Sequence, residues 1–253
     1  MRSFSECQTW ANDVSLFEQA IEVDPRYIEG HVALGRSYQR MRDYAEAEEY
    51  LSQAIKLASS EAPQSYWSPF VAYMNRGMAY QGLGDHQAAI ADFQSARSFQ
   101  PNLSSSFFGE GVSLLKIGRF KDARDAFQQA VTLNPTDDRA VGNLALSCLS
   151  LNQPKEAEQL LTPFEDDKTI SQIDLRTLGT ARLLLNKYEA ARRNFETLVA
   201  ESPQNGIDRA KLAWAYWGCV NFERAREVLA EAEKIDPNNA TVSYVKRLPG
   251  LIE

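Results

Sequence analysis

The side chains of this sequence that could do chemistry are few and scattered. His31 and His86 are the only histidines. They stand in separate stretches, without neighbours at the spacing that holds a metal or builds a base. Cys7, Cys148 and Cys219 are an odd set, far apart and outside every zinc-binding spacing. Cys148 and Cys219 therefore read as small buried hydrophobes, and free thiols suit a reducing compartment. Gly82 with Gly84, and Gly109 with Gly111, are fragments of phosphate-cradling loops, but no strand precedes them. There is no Gly-Lys-Ser/Thr loop and no Gly-x-Ser-x-Gly elbow. Asp and Glu are spread along solvated helix faces. The expectation is a non-catalytic chain without cofactor or metal, which leaves binding.

The composition agrees. Of 253 residues, 44% are hydrophobic and 24% charged, too apolar for a disordered chain. No apolar run approaches the roughly 20 residues of a membrane span. Met1 to Asp13 lacks the apolar core of a secretory signal, so the expected location is cytoplasmic. A net charge of -7 without a basic block argues against a nucleic-acid partner.

The elements that must position any binding surface repeat along the chain. Pro101 and Pro135 are 34 residues apart, as are Pro203 and Pro237. Pro135 and Pro203 are separated by 68, and Pro25 and Pro101 by 76. These spacings define six 34-residue windows, with the proline at window position 32 where it occurs; they begin at Ile28, Phe70, Ser104, Asp138, Gln172 and Gly206. Position 8 is always small: Gly35, Gly77, Gly111, Ala145, Gly179 and Ala213. Position 20 is always alanine: Ala47, Ala89, Ala123, Ala157, Ala191 and Ala225. Position 24 is always bulky and apolar: Leu51, Phe93, Phe127, Leu161, Phe195 and Leu229. Two apolar helical stretches per window flank a short polar turn such as Gly84-Asp85, Gly118-Arg119 or Asn186-Lys187. Small residues let the two helices approach, and large ones fill the space beside them. The proline stops the second helix.

This pattern resembles the tetratricopeptide repeat family over about residues 28 to 239. The resemblance implies an all-α, right-handed superhelical α-solenoid of stacked antiparallel helix pairs. The repeats would occupy 28–61, 70–103, 104–137, 138–171, 172–205 and 206–239. A partial or capping repeat (1–27) would precede them, an insertion (62–69) would separate the first two, and a half-repeat cap (240–253) would end the array.

The register bends in three places. The insertion carries Tyr66 and Trp67, and Ser59 replaces the first window's proline, so either a longer loop or an overlong second helix fits there. Ser68 and Pro69 read as the next helix's N-cap and first residue. In the fourth window Pro163 should stop the second helix near Leu161, leaving Glu165, Asp166, Asp167 and Lys168 as a solvated loop. This is either a degenerate repeat or a hinge between 1–163 and 164–253. Finally, Arg76 and Glu110 both occupy position 7 of adjacent windows, where stacking could pair them, and Arg182 stands where Tyr or Leu is usual.

In the family, window positions 2, 5, 6, 9, 12 and 13 of the first helices line a concave groove. Carried over, they give a stripe of Met74, Asn75, Met78, Phe108, Val112, Leu115, Asn143, Leu146 and Leu149, continued by Leu183, Leu184, Lys211, Trp214 and Trp217. The front end is polar, with Arg36 and Arg40. Methionines and aromatics suit an apolar or amphipathic peptide, although part of the stripe could be packing between adjacent first helices. The family's carboxylate clamp for chaperone tails is absent: its positions hold Val32, Arg36, Asn75, Ser105 and Gly109. The resulting expectation is a non-catalytic protein–protein interaction scaffold that binds a peptide or amphipathic segment of a protein partner. The alternatives are a homo-oligomer built by end-to-end repeat docking, or an adaptor or regulatory region of a larger enzyme.

Overall fold

The computed structural model describes residues 4–60, 69–165 and 170–251. Residues 62–68 of the expected insertion, with Tyr66, Trp67 and Ser68, and the loop residues Asp166, Asp167 and Lys168 lie outside them, as does the side chain of Cys7. The described residues form fourteen α-helices and one 3-10 turn. By compactness the chain divides into two units, Met1–Asp137 and Asp138–Glu253.

The first unit holds α1 (Phe4–Val23), α2 (Ile28–Met41), α3 (Tyr44–Ser60), α4 (Phe70–Leu83), α5 (His86–Phe99), α6 (Ser104–Lys116) and α7 (Phe120–Leu133). The first helices of the windows, α2, α4 and α6, pack side by side, and each lies against its own second helix. The second unit holds α8 (Asp138–Ser150), α9 (Pro154–Leu161), a 3-10 turn (Thr162–Phe164), α10 (Gln172–Leu184), α11 (Tyr188–Glu201), α12 (Gly206–Gly218), α13 (Phe222–Ile235) and α14 (Ala240–Lys246). Here α8, α10, α12 and α14 lie side by side, with α9, α11 and α13 behind them. In all six windows the first helix starts at position 1 and the second at position 17. This is the helix-pair architecture of an α-solenoid.

Position 15 carries the turn. Its residue adopts a left-handed backbone in every window: Arg42, Gly84, Gly118, Asn152, Asn186 and Val220. The position-15 N–H donates to the carbonyl three residues earlier, as Arg42 does to Gln39 at 3.0 Å and Val220 to Trp217 at 2.9 Å. This closes the first helix with its last carbonyls satisfied. Pro69 precedes α4 as its cap residue rather than opening it.

The second helices end as the prolines dictate. α5, α7, α11 and α13 all stop two residues before Pro101, Pro135, Pro203 and Pro237. With Ser59 in the proline's place, α3 runs on to Ser60. α9 ends at Leu161, and Pro163 sits in the 3-10 turn beyond it.

The core is built from the repeated pairs. A β-carbon added at Gly35, Gly77, Gly111 or Gly179 would meet Leu51, Phe93, Phe127 or Phe195 at 3.0 Å or less. Position 8 is thus small because position 24 of the partner helix fills the space above it. Phe93, Phe127 and Phe195 are fully buried.

Charges inside the array pair differently from the Arg76–Glu110 expectation. Arg76 grips Asp92 of α5 through Nε at 2.8 Å and Nη2 at 2.7 Å, and donates to Ser52 of α3. Glu110 forms an ion pair with Arg97 at 2.5 Å and accepts from Gln94 Nε2 at 2.6 Å, both on α5. Second helices, not adjacent first helices, supply the partners. Glu165 is not a solvated loop residue either. Its carboxylate holds the buried Arg182 through both Nη atoms, and Asn194 completes the group. Glu165 is held below the usual carboxylate range, chiefly by this bond to Arg182.

Candidate partner-binding faces

Each unit presents one face made by its first helices, and the expected binding residues distribute over these two faces. In the first unit Arg36 and Arg40 are exposed on α2. On α4, Met78 is 43% exposed, while Met74 and Asn75 are half-buried. On α6, Phe108, Val112 and Leu115 are half-buried. Phe108 also packs edge-on against the core ring of Phe127, with centroids 5.8 Å apart.

Position 12 has a structural duty. Gln39 Nε2 donates to the Asn75 carbonyl at 2.5 Å, and Gln81 Nε2 donates to Gly109 O and Ser113 Oγ at 2.8 Å. These side chains rivet one first helix to the next, so only part of the expected stripe faces outward.

In the second unit, Asn143, Leu146 and Leu149 are half-buried on α8. Leu183 is a correction: at position 12 of α10 it is fully buried in a core with Phe195, Leu198 and Leu212. Its neighbour Leu184 takes the outward place, 43% exposed. Trp214 and Trp217 are half-buried against the last described segment of the chain. Trp214 meets Tyr244 of α14 edge-on at 5.0 Å, and Trp217 Nε1 donates to the Pro249 carbonyl at 2.9 Å.

Periodicity did not reveal the polar centre of this face. Arg176 of α10 holds the fully buried Asp208 of α12 by Nε and Nη2, each at 2.7 Å. Beside them Lys211 Nζ donates to Thr180 Oγ1 at 2.8 Å. Burial pushes the Lys211 ammonium below its usual value, and Asp208 only partly offsets this. A signal was available. Several links between adjacent first helices join residues 31 or 32 apart, Gln81–Ser113, Arg176–Asp208 and Thr180–Lys211, and Trp217 reaches Pro249, just beyond α14, over the same distance.

The two described thiols and His31 also have assigned places. Cys148 is buried, as expected. Cys219 is not a core residue; its thiol is half-buried and donates to Glu189 at 3.1 Å. Burial first, then Glu189, pushes it up to about 11. His31 is buried with Nε2 3.0 Å from the Pro25 carbonyl. Gly109 and Gly111 lie under Phe93 and Phe127, as packing surfaces. No helix among the described residues is long and apolar enough to cross a membrane.

Comparison with known proteins places this geometry. One Tetratricopeptide repeat family model matches residues 26–102, and a second matches residues 114–170 and 182–248. The chain is 30% identical over 115 residues to the small glutamine-rich tetratricopeptide repeat-containing protein 2 of Mycosarcoma maydis, covering 46% of the chain and 30% of that protein. It is 26% identical over 212 residues to the Homo sapiens superkiller complex protein 3, covering 83% of the chain and 12% of that protein. The chain thus spans a minor part of each relative. Among solved structures, the fold is similar to YrrB, described as a TPR protein with an unusual peptide-binding site. The TM-score is 0.66 at 19% identity, covering 79% of this chain and 100% of that one.

Proposed function

We propose that this chain, which belongs to the tetratricopeptide repeat family and so provides a scaffold for protein interaction, holds apolar or amphipathic peptide segments of a partner protein on its first-helix faces. One observation carries the reading. Large apolar side chains stand open on these helices at window positions that line the groove in the family: Met78 on α4, Ile173 and Leu184 on α10, Ile207 on α12. Methionine and leucine adapt to varied peptide side chains at small cost. The similarity to a structure described as having a peptide-binding site supports this use of the fold.

The test uses a random dodecapeptide library displayed on phage and selected on the full chain. Selected peptides should bind the wild type in fluorescence anisotropy. They should bind at least about tenfold more weakly to Met78→Glu or Leu184→Glu, depending on the face, because a carboxylate replaces an apolar contact. Both variants should keep the wild-type circular dichroism spectrum. Unchanged affinity in both variants would remove the proposal. Phe108→Asp is a poorer probe, because Phe108 also supports Phe127.

A further inference from the structure

The centre of the second unit's face holds more positive than negative charge. Arg176 and Lys211 are cations, and Asp208 is the carboxylate between them. Asp208 spends both oxygens on Arg176. Among the described residues, the hydrogen-bond partner of the Lys211 ammonium is the Thr180 hydroxyl, whose own proton goes to the Arg176 carbonyl at 2.7 Å. An ammonium carries three donors and is costly to desolvate without an anion. The Phe195 ring, 5.8 Å from Nζ, offers only weak compensation. The fold therefore partly withdraws a cation from water and, among the described residues, gives it no carboxylate of its own.

The surroundings of Lys211 are apolar and open. Ile207, one turn earlier on α12, shares its face and is 41% exposed. On the neighbouring α10, Ile173 is 60% exposed and Leu184 43%. Thr180, the partner of Lys211, lies seven residues after Ile173 and four before Leu184. At about 1.5 Å of rise per residue these are about 10 Å and 6 Å along the helix, the reach of about three and two extended residues.

We infer that Lys211 is a carboxylate-reading subsite: the second unit's face takes a partner segment in which an Asp or Glu lies two or three residues from apolar side chains. The inference rests on the proposed peptide-binding role and names the chemistry of the segment. Charge complementarity selects the acidic residue. Its oxygens accept the unspent N–H groups of Lys211, in a partly desolvated setting where such bonds are stronger than in water. Arg176 stays with Asp208 and adds a field of the same sign. The apolar flanks cover Ile173 and Ile207 on one side and Leu184 on the other.

The same displayed dodecapeptide library tests it, selected in parallel on the wild-type full chain and on Lys211→Met. Methionine keeps the packed stem and removes the charge, and this variant should show a urea midpoint equal to or above wild type. Peptides from the wild type whose binding Leu184→Glu weakens should carry Asp or Glu at one fixed distance from an apolar residue. Peptides from Lys211→Met should keep the apolar residue and lose the acidic one. For one such wild-type peptide, Glu→Gln should weaken binding about tenfold to the wild type and not to Lys211→Met. Lys211→Arg should retain the distinction. Apolar peptides without an acidic preference, or the same preference from both selections, would overturn the inference while leaving the peptide-binding role standing. Selection of no peptide above the empty support would overturn both.

Discussion

Gly109 of α6 rests on the ring of Phe93 in α5: a β-carbon at Gly109 would lie 2.6 Å from ring atoms Cε1 and Cζ. The same ring also lies against Gly77 of α4, where a β-carbon would be 3.0 Å away. Two successive first helices therefore close on one aromatic plate from the helix layer behind them. The ring is fully buried. Gly109→Ala should destabilise the first unit by about 1–3 kcal/mol through overpacking. A urea titration followed by circular dichroism would read this as a lower midpoint at unchanged slope, and an unchanged midpoint would show that the ring can move aside.

Val220 should be a site of easy stabilisation. It is a β-branched residue in the left-handed region, φ 61°, and is 72% exposed, so little packing compensates its strain. Asn152 and Asn186 occupy the equivalent turns at φ 59°. Val220→Asn should raise stability by about 1 kcal/mol. Asn186→Val should lower it by a similar amount. Thermal melts of the two variants beside wild type would show opposite shifts.

The Arg182 group predicts acid sensitivity. Glu165 has its folded value lowered by Arg182, so its contribution is complete above the unfolded value and disappears as pH falls through the folded one. Asp174, raised by burial, works in the opposite direction. Arg182→Leu should destabilise the second unit at neutral pH by about 2–3 kcal/mol, since it strands the buried Asn194 and frees Glu165. It should also flatten the loss of stability below the ordinary carboxylate range. Urea midpoints measured from pH 7 down to about pH 3 should converge for wild type and variant; parallel curves would exclude the pairing as the cause.

Cys219 should be a sluggish nucleophile despite its partial exposure. The thiol is pushed up to about 11 and donates to Glu189, itself pulled down to about 2, chiefly by Arg192. Reaction proceeds through the thiolate. Alkylation by iodoacetamide at pH 8, read out by mass spectrometry, should be slow at Cys219 and several-fold faster in Glu189→Gln. Equal rates would mean that the thiol does not depend on this carboxylate.

The legible and illegible parts of this chain divide by sequence distance. Helix starts and stops were readable because each is signalled within a few residues: Pro101, Pro135, Pro203 and Pro237 beyond the second helices, Ala at position 20, and Gly or Ala at position 8. Turn geometry was readable at Gly84, Gly118 and Asn186. It was not readable at Arg42 and Val220, where the neighbouring helices impose a conformation the residue itself resists. The face was only half legible. Position 12 shares a helical face with position 9, yet Gln39, Gln81 and Leu183 turn toward neighbouring elements while Met78 stays open. One helix's periodicity says which side a residue is on, not how near the next helix stands. Arg176 and Asp208 were missed for the same reason, each looking like a surface charge until α10 and α12 are side by side.

The rivets between first helices bear on how the chain acquires its shape. Among the described residues, the side-chain hydrogen bond with the longest reach in sequence joins Gln39 and Asn75, 36 residues apart. Contacts this local keep the loop-closure cost low and place such chains among fast folders. During synthesis at about 5–20 residues per second, each helix pair would wait only a few seconds for its next neighbour. The nascent chain can thus build itself from the front, with each unit's apolar surface covered almost as soon as it emerges.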